Sequence, residues 1–358
     1  MTISECEVTP VFGLTKRELR PVVEEAAGEA VVSFDVSMEH QRPEPYGYAA
    51  EKEIPTFDYV TETGRAGKVT VFVKRFYRTG PAESEQYRFL LAHQAPIPRM
   101  YGVLPGPDQR EILFVEHVET PRPIGTMREL LALMARFHAI RPSAEYTAWL
   151  ERMPWRFHDR LAGAEHTLDL IWEHARNGEL GAALKDFCSS SRHRLRRLQS
   201  VVRQVIERTL EMPRGLIHTD FSRENTGRRK DGELLALDVE WVAVGPRFFD
   251  VAGSLAWPPQ RWHPDLRQSE LGRHYLEEYA RWGGSPPSLE TFYEEIRLLW
   301  FADKLRYLDW NLNRGLDGSA LSPSDDERRA CRDELYRTLT AFLAQYLLRG
   351  TDCSVLLR

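Results

Sequence analysis

Five residues able to bind a metal or move a proton fall within one stretch, "LIHTDFSRENTGRRKDGELLALDVEW" (216–241): His218, Asp220, Asn225, Asp238 and Glu240. Between Asn225 and Asp238 lies "RRKDGE", in which Asp231-Gly232 is among the best two-residue hairpin signals, since both positions tolerate positive φ. A hairpin closed there, between "GLIHTD" and "ELLALDVEW", would return the chain on itself and bring Asp220 and Asn225 toward Asp238. Two carboxylates and an amide oxygen meeting at one point suit Mg²⁺, which prefers hard oxygen ligands and keeps several waters. One carboxylate would then be left to orient a nucleophile. Turn chemistry alone accounts for Asp and Asn in loops. It does not account for Asp238 inside "LLALDVEW", where a carboxylate in an apolar strand is costly without a partner. His218 by itself reads as a buried structural histidine. Glu240 reads either as a further group around the metal or as a strand-terminal residue.

The elements that must position these groups change character near residue 120. After a short helix, "TKRELRPVVEEAAG", come three strand-like segments rich in Val, Phe, Tyr and Thr: "AVVSFDVSME", "PTFDYVTET" and "KVTVFVKRF". "TGRAGK" (63–68) is a turn between neighbouring antiparallel strands. "ESEQYRFLLAHQ" reads as one helix ended by the prolines of "APIPRMYG", and "REILFVEHVE" as another strand. Residues 30–118 are therefore expected to form a small antiparallel sheet carrying one helix. From about 126 helices dominate, beginning with a capping-box pattern at Thr126 and Glu129. In "SRHRLRRLQSVVRQVIERTL" the apolar Leu195, Leu198, Val202 and Val205 share one face, and most of the arginines lie off it as a solvated face.

At 358 residues the chain exceeds what one core usually holds, which predicts two domains. The 48 basic and 53 acidic side chains give a net charge of -5, too balanced for a nucleic-acid binder. The four cysteines, Cys6, Cys188, Cys331 and Cys353, are far apart with no metal-thiolate spacing, which fits a reducing compartment. The start lacks a signal-peptide pattern, and the longest apolar runs are far too short to span a bilayer. A cytoplasmic protein with no membrane partner is expected.

The order "HTDFSREN", "LDVEW", "GPRFFDVAG" resembles the catalytic core of the aminoglycoside phosphotransferase and choline kinase family, which has a protein-kinase-like fold. That resemblance implies a two-lobed α+β protein, with an N-terminal extension (1–29), a nucleotide-binding lobe (30–118) and a catalytic, acceptor-binding lobe (119–358). It implies Asp220 as the catalytic carboxylate and Asn225 and Asp238 as ligands of magnesium ions that bridge the phosphates of ATP or GTP. His218 and Asp250 would support the catalytic loop. "VTVFVKRF" resembles the strand carrying the phosphate-binding lysine, here Lys74. Its ion-pair partner is expected on the next helix, where spacing to Tyr87 and Leu90 favours Glu83 over Glu85. "ILFVEHVE" would be the hinge, with the backbone at Glu116 and Val118 meeting the nucleobase. "MEHQRPEPYGYAAEKEIP" stands where the family often has a small-residue phosphate loop, and it has no Gly-x-Gly.

The reaction so implied is transfer of a γ-phosphoryl group to a small-molecule hydroxyl. The acceptor would be an aminoglycoside-like or other amino-containing natural product, in the manner of an antibiotic-resistance enzyme. A choline- or homoserine-type metabolite is the alternative, and a regulatory pseudokinase is the alternative from another class. Trp300, Tyr307 and Trp310 recur on one helix, where core packing is the default. Tyr307 and Trp310, with Asp303, are the candidates for binding an acceptor amine.

Overall fold

The computed structural model describes residues 7–38, 50–76, 83–106, 110–118, 126–152, 161, 164–256, 270–316 and 325–346. The segment 39–49, which holds most of the region expected at the phosphate loop, lies outside them. Two compact units are present, Met1–Thr126 with Phe221–Val242 and Met127–Asp220 with Ala243–Arg358. The first unit thus begins before residue 30, ends after 118 and takes in a later segment that contains Asn225, Asp238 and Glu240. Among the described residues no helix is long and apolar enough to cross a membrane.

The first unit opens with α1 (Lys16–Ala27), whose start is fixed by a capping box. The Thr15 hydroxyl accepts from the Glu18 N–H, and the Glu18 carboxylate accepts from the Thr15 N–H at 2.7 Å. Gly28, at φ 77, ends it. Leu19, Val22 and Val23 share the buried face of this helix, so the segment expected as an extension packs into the core. Its partners are the strands β1 (Val31–Ser37), β3 (Thr56–Thr61) and β4 (Ala66–Phe76), with β5 (Met100–Pro105) and β6 (Glu111–Glu116). The sheet order is β1-β3-β4-β6-β5, antiparallel throughout, with the short β2 (Ala50–Glu53) pairing the end of β4. The period of two along β4 sends Val71 and Val73 to the core beneath α1 and Lys74 to the opposite face. The helix α2 (Glu83–Ala92) follows, with Tyr87 and Leu90 buried.

The second unit is mostly helical. It contains α3 (Met127–His138), α4 (Ala144–Leu150), α5 (Thr167–Arg176), the long α6 (Ala182–Glu211), α7 (Phe249–Ala256), α8 (Glu270–Arg281), α9 (Leu289–Gly315) and α10 (Asp325–Tyr346). The stripe Leu195, Leu198, Val202 and Val205 on α6 is buried, as its spacing predicts. Tyr275, Phe248 and Phe292 form a close aromatic cluster with centroids 5.1–5.7 Å apart.

One pairing differs from expectation. "GLIHTD" does not pair with "ELLALDVEW". Its strand β7 (Arg214–Ile217) pairs antiparallel with β10 (Ala243–Pro246) in the second unit. The hairpin is shorter and lies wholly in the first unit, with β8 (Thr226–Arg228) against β9 (Leu234–Ala236). Its turn also shifts, because the Gly232 N–H bonds back to Arg229 O at 2.9 Å. Lys230-Asp231 are therefore the central pair, and Gly232 takes the left-handed position at φ +96. Turn residues tolerate several loop lengths, so the dipeptide located the reversal without fixing its register.

Candidate active site

Lys74 is the centre of the first unit's polar cluster. Although 4% exposed, its ammonium donates to both Glu83 oxygens at 3.1 and 2.9 Å and also contacts Asp238 Oδ1. Glu83 is the α2 residue that reaches it, while Glu85 faces Arg88 at the surface. Asp238 gets there through an unusual backbone. At φ 57 and ψ 59 it is left-handed, a conformation that costs most side chains but is tolerated by Asp and Asn. It opens the single 3₁₀ turn Val239–Trp241, which brings Glu240 to the same place. Carboxylate oxygens of Glu83, Asp238 and Glu240 all lie within 4.8 Å of one another.

The Lys74 ammonium therefore sits among three carboxylates, and the electrostatics follow. Burial alone would lower the Lys74 pKa, but Asp238 and Glu83 hold it well above the ordinary lysine value. Glu83 moves to about 7, because burial penalises its charge and Asp238 and Glu240 repel it, against the attraction of Lys74. Glu240 is raised as well, by burial first and by Asp238, against the attraction of Lys74 and Lys52. The two ends of the Lys74–Glu83 pair thus shift in the same direction. The lysine gains from every carboxylate, while Glu83 receives only a share of one positive charge. Such an excess of hard oxygen donors fits Mg²⁺.

The hairpin places Asn225 next to this cluster along the chain fold. Thr226 pairs with Ala236, and the Leu237 N–H donates to Asn225 O at 2.8 Å, so Asn225 and Asp238 flank the same open end. Gln86, one turn after Glu83, donates to the carbonyls of Glu240 and Val242, both at 3.3 Å, and ties α2 to the segment after Asp238. Glu116 ends β6 with its N–H on Arg99 O at 2.8 Å and its carboxylate on Arg229. Val118 is buried beyond it.

In the second unit the loop after β7 is held from behind by Asp250 at the start of α7. The Asp250 carboxylate accepts the backbone N–H of His218 at 2.7 Å and of Thr219 at 2.8 Å. It also meets His138 Nε2 at 2.8 Å, and His138 Nδ1 lies 2.9 Å from the Tyr275 hydroxyl. Burial raises the Asp250 pKa, but these bonds, with His138 first, bring it below the ordinary aspartate value. Thr219 is left-handed at φ 69. The buried His218 ring packs 5.8 Å from Phe137, and Asp220 follows at the surface.

Of the expected acceptor residues, Tyr307 is exposed and Asp303 is half-buried. Asp303 is paired with Arg306 at 3.0 Å and Lys304 at 3.5 Å, and Lys304 lies over the Tyr307 ring at 5.3 Å. Trp300 is core, 1% exposed, and the side chain of Trp310 lies outside the described residues. Sequence reasoning passed over His138, Tyr275, Gln86 and Arg229 as parts of the site. His138 alone carried a signal, in "ARFHAI" at the end of α3.

No curated protein matches the chain in sequence. Among solved structures, choline kinase from Cryptosporidium parvum Iowa II aligns with a TM-score of 0.52 at 12% identity, over 88% of this chain and 91% of that one. A Plasmodium vivax ethanolamine kinase aligns at 0.49 and 15% over 81% of each chain. A spectinomycin phosphotransferase in complex with ADP and spectinomycin aligns at 0.49 and 12%, over 89% of this chain and 95% of that one. The fold is the α+β protein-kinase-like one shared with the choline kinase. Residues 58–289, well over half of the chain, match the model of the Phosphotransferase enzyme family, and the protein belongs to that family as a phosphotransferase acting on hydroxyl groups of small molecules.

Proposed function

We propose that the protein transfers the γ-phosphoryl group of ATP or GTP to a hydroxyl of an aminoglycoside-like or other amino-containing natural product. The observation that carries the donor half of this reading is the buried Lys74, held charged between Glu83 and Asp238 in a cluster with surplus carboxylate. Lys74 offers its charge to phosphate oxygens, and Glu83 keeps the ammonium aimed. Asn225 and Asp238 would hold Mg²⁺, which when bound neutralises charge on the phosphoryl oxygens. The backbone at Glu116 and Val118 would meet the nucleobase. Asp220 takes or orients the acceptor hydroxyl proton, and Asp250, through the amides of His218 and Thr219, fixes the loop that presents it. Positioning and charge neutralisation are what phosphoryl transfer chiefly requires.

The acceptor assignment rests on family resemblance, and a choline- or homoserine-type metabolite is the competing choice. The test is a nucleotide-consumption assay with Mg²⁺ over aminoglycosides, other antibiotics, amino alcohols and amino acids. Mass spectrometry would identify any product heavier by one phosphoryl group. Asp220→Ala should lower turnover by about 10²–10⁴-fold, the usual worth of a positioned proton acceptor, while nucleotide still binds. Near-normal turnover in that variant would remove Asp220 from the chemistry. Nucleotide binding with no product across the panel would favour a regulatory pseudokinase.

A further inference from the structure

Arg229, in the turn of the β8–β9 hairpin, has no part in the chemistry above, yet it is one of the most heavily bonded side chains in the first unit. Its side chain is 15% exposed. Nε and Nη2 form a fork onto the Glu116 carboxylate, with Nε 2.9 Å from Oε1 and Nη2 2.7 Å from Oε2. Nη1 contacts Glu233, and Nη2 also donates to Ile97 O at 3.3 Å. Glu116 is held from its other side as well, because Oε2 accepts the Arg99 N–H at 3.1 Å.

Two uncharged contacts join the same surfaces. A Cβ on Gly227 would stand 2.6 Å from Val118 Cγ1, so β8 lies against the end of the hinge strand at a distance only glycine permits. On the other arm, the Ala236 N–H donates to Pro96 O at 2.7 Å. The hairpin is therefore seated by both arms and locked by its turn. Each arm is three residues long, about 10 Å at the usual rise, and Asn225 and Asp238 sit at the end opposite the lock. Freeing the turn would let that end shift.

We infer that Arg229 is a positioning residue that makes the nucleobase strand and the metal-bearing hairpin a single piece, so that seating the base also sets Asn225 and Asp238. The inference rests on the proposed roles of Glu116 and Val118 toward the base and of Asn225 and Asp238 toward the metal. Arginine suits the task because its rigid planar fork holds the two Glu116 oxygens through separate nitrogens and still reaches Ile97 O, a fixed geometry that a single lysine nitrogen does not supply.

The test is calorimetric titration of the full chain with ATP, with and without Mg²⁺, and with adenosine, which reports the base alone. Wild type should bind ATP more tightly with Mg²⁺. In Arg229→Gln that enhancement should fall by about tenfold or more, the worth of one charge-assisted hydrogen bond. Arg229→Lys, which keeps the charge but loses the fork, should show the same loss if the first variant folds poorly. Glu116→Gln added to Arg229→Gln should lower the Mg²⁺ enhancement little beyond Arg229→Gln alone, because the fork between the two is already gone. A lower melting temperature with the Mg²⁺ enhancement intact would make Arg229 a stabilising residue only and overturn the inference. Failure of wild type to bind any nucleotide would instead overturn the reading on which it rests.

Discussion

Replacing Glu83 with glutamine isolates the charge of the most deeply buried carboxylate in the Lys74 cluster. Its side chain is 1% exposed. Burial first, then Asp238 and Glu240, raise its pKa from 4.5 to about 7 in spite of Lys74. In the unfolded chain the group returns to the ordinary value. Between the two values the folded protein holds a proton that the unfolded chain has released, so this group's contribution to stability falls as pH rises through that window. At about 1.4 kcal/mol per unit of pH, the full change is about 3 kcal/mol. Glutamine is neutral throughout, keeps the shape and leaves an oxygen for the Lys74 ammonium. The stability difference, variant minus wild type, should therefore grow in favour of Glu83→Gln by about 3 kcal/mol between pH 4.5 and pH 8. Urea unfolding of both proteins at half-unit steps of pH measures it. A difference independent of pH, or one moving toward wild type as pH rises, would mean that Lys74 fully satisfies Glu83 and that the shared-charge account is wrong.

Asp250→Asn should cost about 3–5 kcal/mol at neutral pH, because it removes the charge from a buried group that holds His138 and two amides. Since the Asp250 pKa is depressed, its stabilisation is present above the ordinary value of 3.8 and fades as pH falls below it, so denaturation curves of variant and wild type should converge in acid. Curves that stay apart there would contradict this. Gly227→Ala should lower stability by about 1–3 kcal/mol, through overpacking against Val118. Val118→Ala in the same chain should recover part of that loss in thermal unfolding, and additive losses would show that the contact is not the cause.

Local chemistry was the legible part of this chain. β4 could be read because β-branched and aromatic residues run unbroken through "VTVFV", and α2 because Tyr87 and Leu90 share a helical face with Glu83. Asp238 stood out because nothing in an apolar segment explains a carboxylate. What resisted reading depends on partners far away in sequence. β7 carries no mark that says it pairs with Ala243–Pro246 rather than with the nearer apolar run. Arg229 looks like any arginine in a basic turn until Glu116, more than a hundred residues earlier, is beside it. His138 and Tyr275 come from different helices to reach Asp250 and Asp250's neighbour in the bond chain. The left-handed backbone at Asp238 was hidden too, because the strand pattern of "LLALD" runs straight up to the residue where it ends.

The first unit is discontinuous along the chain, built from Met1–Thr126 and completed by Phe221–Val242. This imposes an order on its birth at the ribosome. The sheet, α1 and α2 emerge first, and Lys74 and Glu83 meet as a one-to-one pair. Asp238 and Glu240 arrive only after the intervening residues have been made, a wait on the order of ten seconds at about 5–20 residues per second. Until then the nascent sheet lacks the hairpin that covers Val118 and neutralises Glu116. The surplus negative charge at Lys74 is the last thing to be added to the unit, and a fragment ending at residue 126 would never acquire it.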